Sequence, residues 1–133
     1  MPSIDAIEGI SPTLATKLRK ARVRTTEALL KKGATRPLRK RLATATGLTE
    51  DQILEWVNRA DMMRVKGIGS EYSDLLKAAG VDTVKELKTR KATLLHAKLV
   101  EINTQKRLVR RLPTEAMVQS WTASAAKLEA VVK

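Results

Sequence analysis

Two short stretches, Gly9-Ile10-Ser11 and Gly67-Ile68-Gly69, place glycine just ahead of a helix start. Glycine tolerates the left-handed backbone of a tight turn, and a helix starting beside such a turn points unpaired amides outward. Beside the first stretch lies a dense run of cations: Lys17, Arg19, Lys20, Arg22, Arg24, Lys31, Lys32, Arg36, Arg39, Lys40 and Arg41. Only Glu27 opposes these eleven, so the segment carries +10 of the chain's net +12. The matching stretch 75–99 has six basic and two acidic residues, a net of +4, and a smaller cluster follows at Lys106, Arg107, Arg110 and Arg111. A solvated helix face usually mixes signs, so a long single-sign field argues for a polyanionic partner.

Other chemistries find no support. Cysteine is absent, which removes disulfides, thiolate zinc sites and a cysteine nucleophile. His96 is the sole histidine, with no second metal-ligating neighbour in sequence, and reads as a partly exposed helix residue. Glu50, Asp51 and Glu55 fit the start of a helix better than paired acid catalysis. Ser70 and Ser73 have no histidine partner in view. Gly67-Ile68-Gly69 lacks the preceding strand and third glycine of a dinucleotide fingerprint. The chain is therefore expected to be non-enzymatic, with no cofactor and no metal. Its few aromatics, Trp56, Tyr72 and Trp121, read as core, so base-stacking platforms for single strands are missing. Duplex DNA or structured RNA is the better expectation.

These residues need elements to hold them. The chain has 133 residues, 43% of them apolar, and no Phe. Ala, Leu, Lys, Arg and Glu dominate, and no run of alternating β-branched residues appears, so the fold class expected is all-α. The chain also repeats itself. At an offset of 58, Ile7-Glu8-Gly9-Ile10-Ser11 aligns with Val65-Lys66-Gly67-Ile68-Gly69, Leu18 with Leu76, Val23 with Val81 and Leu29 with Leu87. Later the offset grows to 65, pairing Thr49 with Thr114, Trp56 with Trp121 and Ala60 with Ala125. The second copy thus carries about seven extra residues, expected near Gln105 to Arg111. Two units follow, 1–64 and 65–133, each of about four short helices, expected to pack as one compact pseudo-symmetric body.

In the first copy, Ser11 and Pro12 mark a helix start, and the helix runs to about Ala21. A second begins at Thr25-Thr26-Glu27 and ends near Gly33. A third spans Pro37 to Thr46 and closes at Gly47; a fourth, capped by Thr49, runs from Glu50 to about Met63. The second copy's helices are expected to begin near Ser70, Thr83, Thr93 and Thr114. Residues 1–10 have neither a basic head nor an apolar stretch, so no secretory leader is expected, and no apolar run reaches the ~18 residues of a membrane span.

The run from Val65 to Leu76, an apolar residue, then Lys66-Gly67-Ile68-Gly69 and an amphipathic helix, resembles the helix-hairpin-helix motif. Ile7 to Leu18 is a degenerate copy, and Ala79-Gly80-Val81 with Thr83 resembles the motif's exit into its next helix. Over nearly its full length the chain resembles small bacterial proteins built from tandem helix-hairpin-helix units. That resemblance implies hairpin amides and a helix N-terminus directed at phosphates of double-stranded DNA, without sequence readout. It also admits purely structural or protein-binding roles. Two departures stand out. Ser11 replaces the second glycine, where a left-handed backbone would cost more, and Glu71 and Asp74 lie where a phosphate would dock.

The function expected is sequence-independent binding of double-stranded DNA or structured nucleic acid. The residues expected to carry it are Gly9, Ile10, Ser11, Thr13, Lys17, Arg19, Lys20, Arg22, Arg24, Arg36, Arg39, Lys40, Arg41, Gly67, Ile68 and Gly69. The alternative is an adaptor for an acidic protein. A cytoplasmic setting is expected, nucleoid-associated if DNA is the partner.

Overall fold

The computed structural model describes residues 2–133, and every regular element among them is helical. A 3-10 turn, Ile4–Ala6, precedes α1 (Pro12–Lys20), α2 (Thr26–Gly33), α3 (Arg36–Thr46) and α4 (Glu50–Met62). Then come α5 (Ser70–Ala78), α6 (Val84–Lys88), α7 (Ala92–Lys106) and α8 (Glu115–Ala126). The described residues contain no strand, only one isolated antiparallel bridge between Ser3 and Thr25. Met1, at the head of the first expected unit, lies outside the described residues.

Helices this short owe their ends to local chemistry, because each leaves backbone amides unpaired at its start. Hydroxyls repeatedly supply the partner. Ser11 Oγ accepts from Leu14 N at 3.3 Å, Thr25 Oγ1 from Ala28 N at 3.1 Å, and Thr35 Oγ1 from Leu38 N at 3.4 Å. Thr83 and Thr114 cap α6 and α8 in the same way. Thr49 and Gln52 form a reciprocal box: Gln52 N donates to Thr49 Oγ1, and Thr49 N to Gln52 Oε1, each at 3.1 Å. Only Gly69 before α5 and Lys91 before α7 provide no side-chain cap among these N-caps. At the other end, α3 and α7 both stop on a left-handed residue, Gly47 (φ 75°) and Arg107 (φ 49°).

The chain forms two compact units. In the first, α1 packs on α3 and on the 3-10 turn, and α2 packs on α3. Ile4, Ile7, Leu18, Leu29, Ile53 and Val57 are buried in it. Gly33, the last residue of α2, has no room for a side chain: a Cβ there would stand 2.5 Å from Val57 Cγ2. In the second unit α7 and α6 pack on α8, and α5 on α7, around Leu75, Leu76, Leu87, Leu95, Leu99, Val118 and Trp121. Each such leucine, taken from water, stabilises its unit by about 1.5–3 kcal/mol.

The dividing line differs from the one the sequence suggests. The units part between Asp61 and Met62, not after Arg64, because the Met62 side chain, 1% exposed, belongs to the second core. Val131–Lys133 also go with the first unit. Lys133 N donates to Ala34 O at 2.7 Å, and the Arg39 guanidinium donates to Lys133 O at 2.7 Å. The expected insertion is divided as well. In the second unit α7 runs on to Lys106, and residues 107–114 form the connector to α8, where residues 47–49 link α3 to α4.

Candidate nucleic-acid interface

The hairpins begin with a backbone requirement. Gly9 (φ +96°) and Gly67 (φ +93°) occupy the left-handed region, which costs an L side chain about 1–2 kcal/mol. One hydrogen bond closes each turn: Ile10 N to Ile7 O at 3.2 Å, and Ile68 N to Val65 O at 3.1 Å. The isoleucine side chains are 7% and 4% exposed. Ile10 and Ile68 are thus anchors of the turn, with neither side chain nor amide available to a ligand, which corrects their expected contact role. Gly9, Ser11, Thr13, Gly67 and Gly69 are exposed. The amides of Ser11 and Thr13 make no hydrogen bond among the described residues.

The cost expected at Ser11 is absent. Ser11 has φ −71° and ψ 166°, and Gly69 has φ −103° and ψ −167°, both extended. Any residue adopts that backbone, and serine adds a cap that glycine lacks. The strained position lies at the exit turn. There Arg22 holds φ 66° where its counterpart is Gly80 (φ +87°). A cation kept in a backbone better suited to glycine is the kind of outlier found where a side chain has a task.

The nine cations of the expected site divide into three groups. Lys17, Lys20, Arg22, Arg24, Arg36, Lys40 and Arg41 are exposed and have no ion-pair partner among the described residues. Lys17 and Lys20 are three apart on α1, as neighbours on one face. Arg19 is exposed too but leans on Asp5 Oδ2 at 3.5 Å and Ser3 Oγ at 3.4 Å, a surface pair of at most about 1 kcal/mol.

Arg39 forms the third group and leaves the expected site. It is 7% exposed, and its Nη1 and Nη2 donate to Gly33 O at 2.8 Å and Lys133 O at 2.7 Å. Burial, and then the adjacent Arg36, push its pKa below the ordinary value, while Glu50 acts the other way. Arg39 therefore ties the end of α2 to Val131–Lys133 and is not a surface cation.

The structure adds two lysines to the expected set. The last turn of α2 meets α3 and the end of α1 around an open groove of about 300 Å³, lined by Ala21, Lys31, Lys32, Leu38, Arg41, Leu42 and Ala45. Lys32 Nζ donates to Ala21 O at 3.1 Å, closing the end of α1, and Lys31 pairs with Glu27 at 3.7 Å. In sequence both read as members of the basic run, and nothing local shows that they face Arg41. A neighbouring depression is lined by Lys40, Arg41, Thr44 and Glu50, among others.

The second unit's hairpin is poorer in helical charge. Lys77 is the sole cation of α5, and Glu71 is exposed in its first turn. Fold and surface together define an all-helical protein of two small units, one of which carries a strongly cationic face. Residues 8–128 match the model of a domain of unknown function, DUF4332, and the chain belongs to that family. No curated protein and no solved structure matched the chain. No helix among the described residues is long and apolar enough to cross a membrane.

Proposed function

We propose that the protein is a non-enzymatic, sequence-independent binder of double-stranded DNA or structured nucleic acid. The observation that carries this reading is that seven of the expected cations, Lys17, Lys20, Arg22, Arg24, Arg36, Lys40 and Arg41, are exposed and lack a carboxylate partner among the described residues. Phosphates replace the counterions such a surface holds in solution, and their release drives binding. The amides of Ser11 and Thr13 add neutral donors to phosphate oxygens at the start of α1, as in the helix-hairpin-helix motif the sequence resembles. Contacts of this type position a duplex without reading its bases. The setting that suits such a role is the cytoplasm, with the nucleoid as its target.

The test uses a random duplex and a variant with Lys17, Lys20 and Arg24 changed to Glu. All three are exposed and unpaired, so the fold is expected to survive. The reading requires affinity to fall by at least a hundredfold at ~0.1 M salt; undiminished binding ends it.

A second reading has its own observation. The groove between α2 and α3 has an apolar floor of Ala21, Leu38, Leu42 and Ala45 beneath Lys31, Lys32 and Arg41. That combination suits an acidic protein segment bringing one apolar side chain, which is an adaptor's contact. Stoichiometric recovery of one protein partner after nuclease and high salt, with no duplex affinity, favours it.

A further inference from the structure

The second unit holds an indole with an unsatisfied donor at its hairpin. Trp121 is 2% exposed, and its Nε1 lies 3.1 Å from where a Cβ on Gly67 would stand. That N–H makes no hydrogen bond among the described residues, yet its nitrogen is not among the unpaired polar atoms sealed from solvent. Buried indoles usually find a partner for this group. The relation recurs in the first unit, where Trp56, 4% exposed, sets its Nε1 3.6 Å from the same point at Gly9. A donor without a partner, twice placed against a left-handed glycine, is a feature that packing alone does not require.

The second unit also has a cationic loop fastened beside that indole. Tyr72 packs on Trp121 with ring centroids 5.2 Å apart, and its hydroxyl donates to Arg111 O at 3.1 Å. Asn103 grips Val109 from both sides: Nδ2 donates to Val109 O at 3.2 Å, and Val109 N donates to Oδ1 at 3.0 Å. His96 Nε2 donates to Pro113 O at 3.0 Å. Lys106, Arg107, Arg110 and Arg111 are all exposed along this pinned segment. Residues 102–114 contain no acid. A loop ordered in advance loses little entropy when its charges meet a ligand.

We propose that Trp121 Nε1–H, the Gly67–Gly69 turn, and Arg110 and Arg111 form an oxyanion site that takes a nucleic-acid phosphate. The indole supplies a neutral donor, the turn allows the close approach, and the two arginines supply the charge that α5 lacks. Glu71 and Asp74 of α5 are the opposing carboxylates, and the four exposed cations Lys106, Arg107, Arg110 and Arg111 outnumber them. This inference rests on the nucleic-acid reading and adds to it a second contact surface with named donors.

The experiment titrates the full chain with a short random duplex while following the two indole N–H cross-peaks in proton–nitrogen spectra. The Trp121 peak is expected to shift and its water exchange to slow. Trp121→Phe removes the donor but no charge, so affinity falls about five- to tenfold with an unchanged salt slope. The double variant R110A/R111A lies on exposed positions and tests the site even if Trp121→Phe unfolds. It lowers the slope of log K against log salt by about 2. Glu71→Gln raises affinity about two- to threefold. Wild-type binding with a stationary Trp121 peak and an unchanged slope in R110A/R111A overturns the site while leaving the proposed function standing. Absence of duplex binding by the wild type overturns both. A Trp121 shift with vesicles of 30% phosphatidylserine, and none with duplex, overturns the choice of partner.

Discussion

The two hairpins share a backbone and differ in nearly everything laid over it. Both start on a left-handed glycine set against a tryptophan, and both bury the isoleucine that follows. The third position is serine in one and glycine in the other, and there the backbone is extended in both. The exit turn is left-handed in both, yet one copy fills it with Arg22 and the other with Gly80. The first unit carries its charge on its helices and on the turn between α1 and α2, whereas the second carries a cluster on the connector 107–114. Residues match where geometry leaves one solution and diverge where several satisfy the same turn. Charge follows whichever surface is solvent-facing in each copy.

The largest expected effect separates a cation that holds the fold from those that face solvent. Arg39→Ala removes two hydrogen bonds from a buried guanidinium and is expected to destabilise the first unit by roughly 3 kcal/mol. Its counterpart at an offset of 58, Ala97, is exposed, so a change there to Ser leaves stability within about 0.5 kcal/mol. Urea unfolding with amide exchange assigned to each unit measures both. An Arg39 variant of full stability contradicts its structural role.

Next come the glycines. Gly67→Ala is expected to cost about 2–3 kcal/mol and Gly9→Ala about 1–2. The order follows from the closer approach of Trp121, 3.1 Å against 3.6 Å for Trp56. Equal costs in thermal unfolding would mean that φ alone matters and the tryptophan contact does not.

Smaller effects fall on the third hairpin position. Ser11→Ala is expected to cost about 1 kcal/mol through loss of the cap on Leu14 N. Gly69→Ser is expected to stabilise by about 0.5 kcal/mol, since the backbone there is open to serine and serine restores the missing cap. Destabilisation by Gly69→Ser would show that the two turns are not equivalent.

A change of similar size is expected from Arg22→Gly. Relief of the left-handed backbone stabilises the first unit by about 0.5–1 kcal/mol, while duplex affinity falls because a cation is lost. Opposite signs for stability and binding, read by unfolding and by fluorescence anisotropy, mark a residue kept for contact. A gain in both removes Arg22 from the interface.

Much of the fold can be read from local rules. Ser11-Pro12, Thr49 with Gln52, and Gly47 act at the ends of their helices as their types dictate, because caps depend on three or four neighbouring residues. What escaped reading depends on distant partners. Arg39 looks like one more cation in a run of eleven, and its burial is set by a carbonyl of Lys133 far along the chain. Motif position implies a cost at Ser11 that its extended backbone does not carry. Lys31 and Lys32 join Arg41 only through the packing of α2 on α3. Trp56 and Trp121 read correctly as buried, but which atom each turns toward a glycine depends on tertiary placement. The seven-residue difference in offset marks an insertion, while its attachment by His96 and Asn103 of α7 and Tyr72 of α5 depends on two separate helices.

The salt dependence of duplex affinity tests the central claim most directly. The seven exposed, unpaired cations of the expected site, engaging four or more phosphates, give a slope of log K against log salt of about −4 to −6. Measured by anisotropy with a random duplex between about 50 and 300 mM salt, such a slope is the result this account predicts. Affinity that stays flat across that range would contradict it, because a partner held by this surface has to release its counterions.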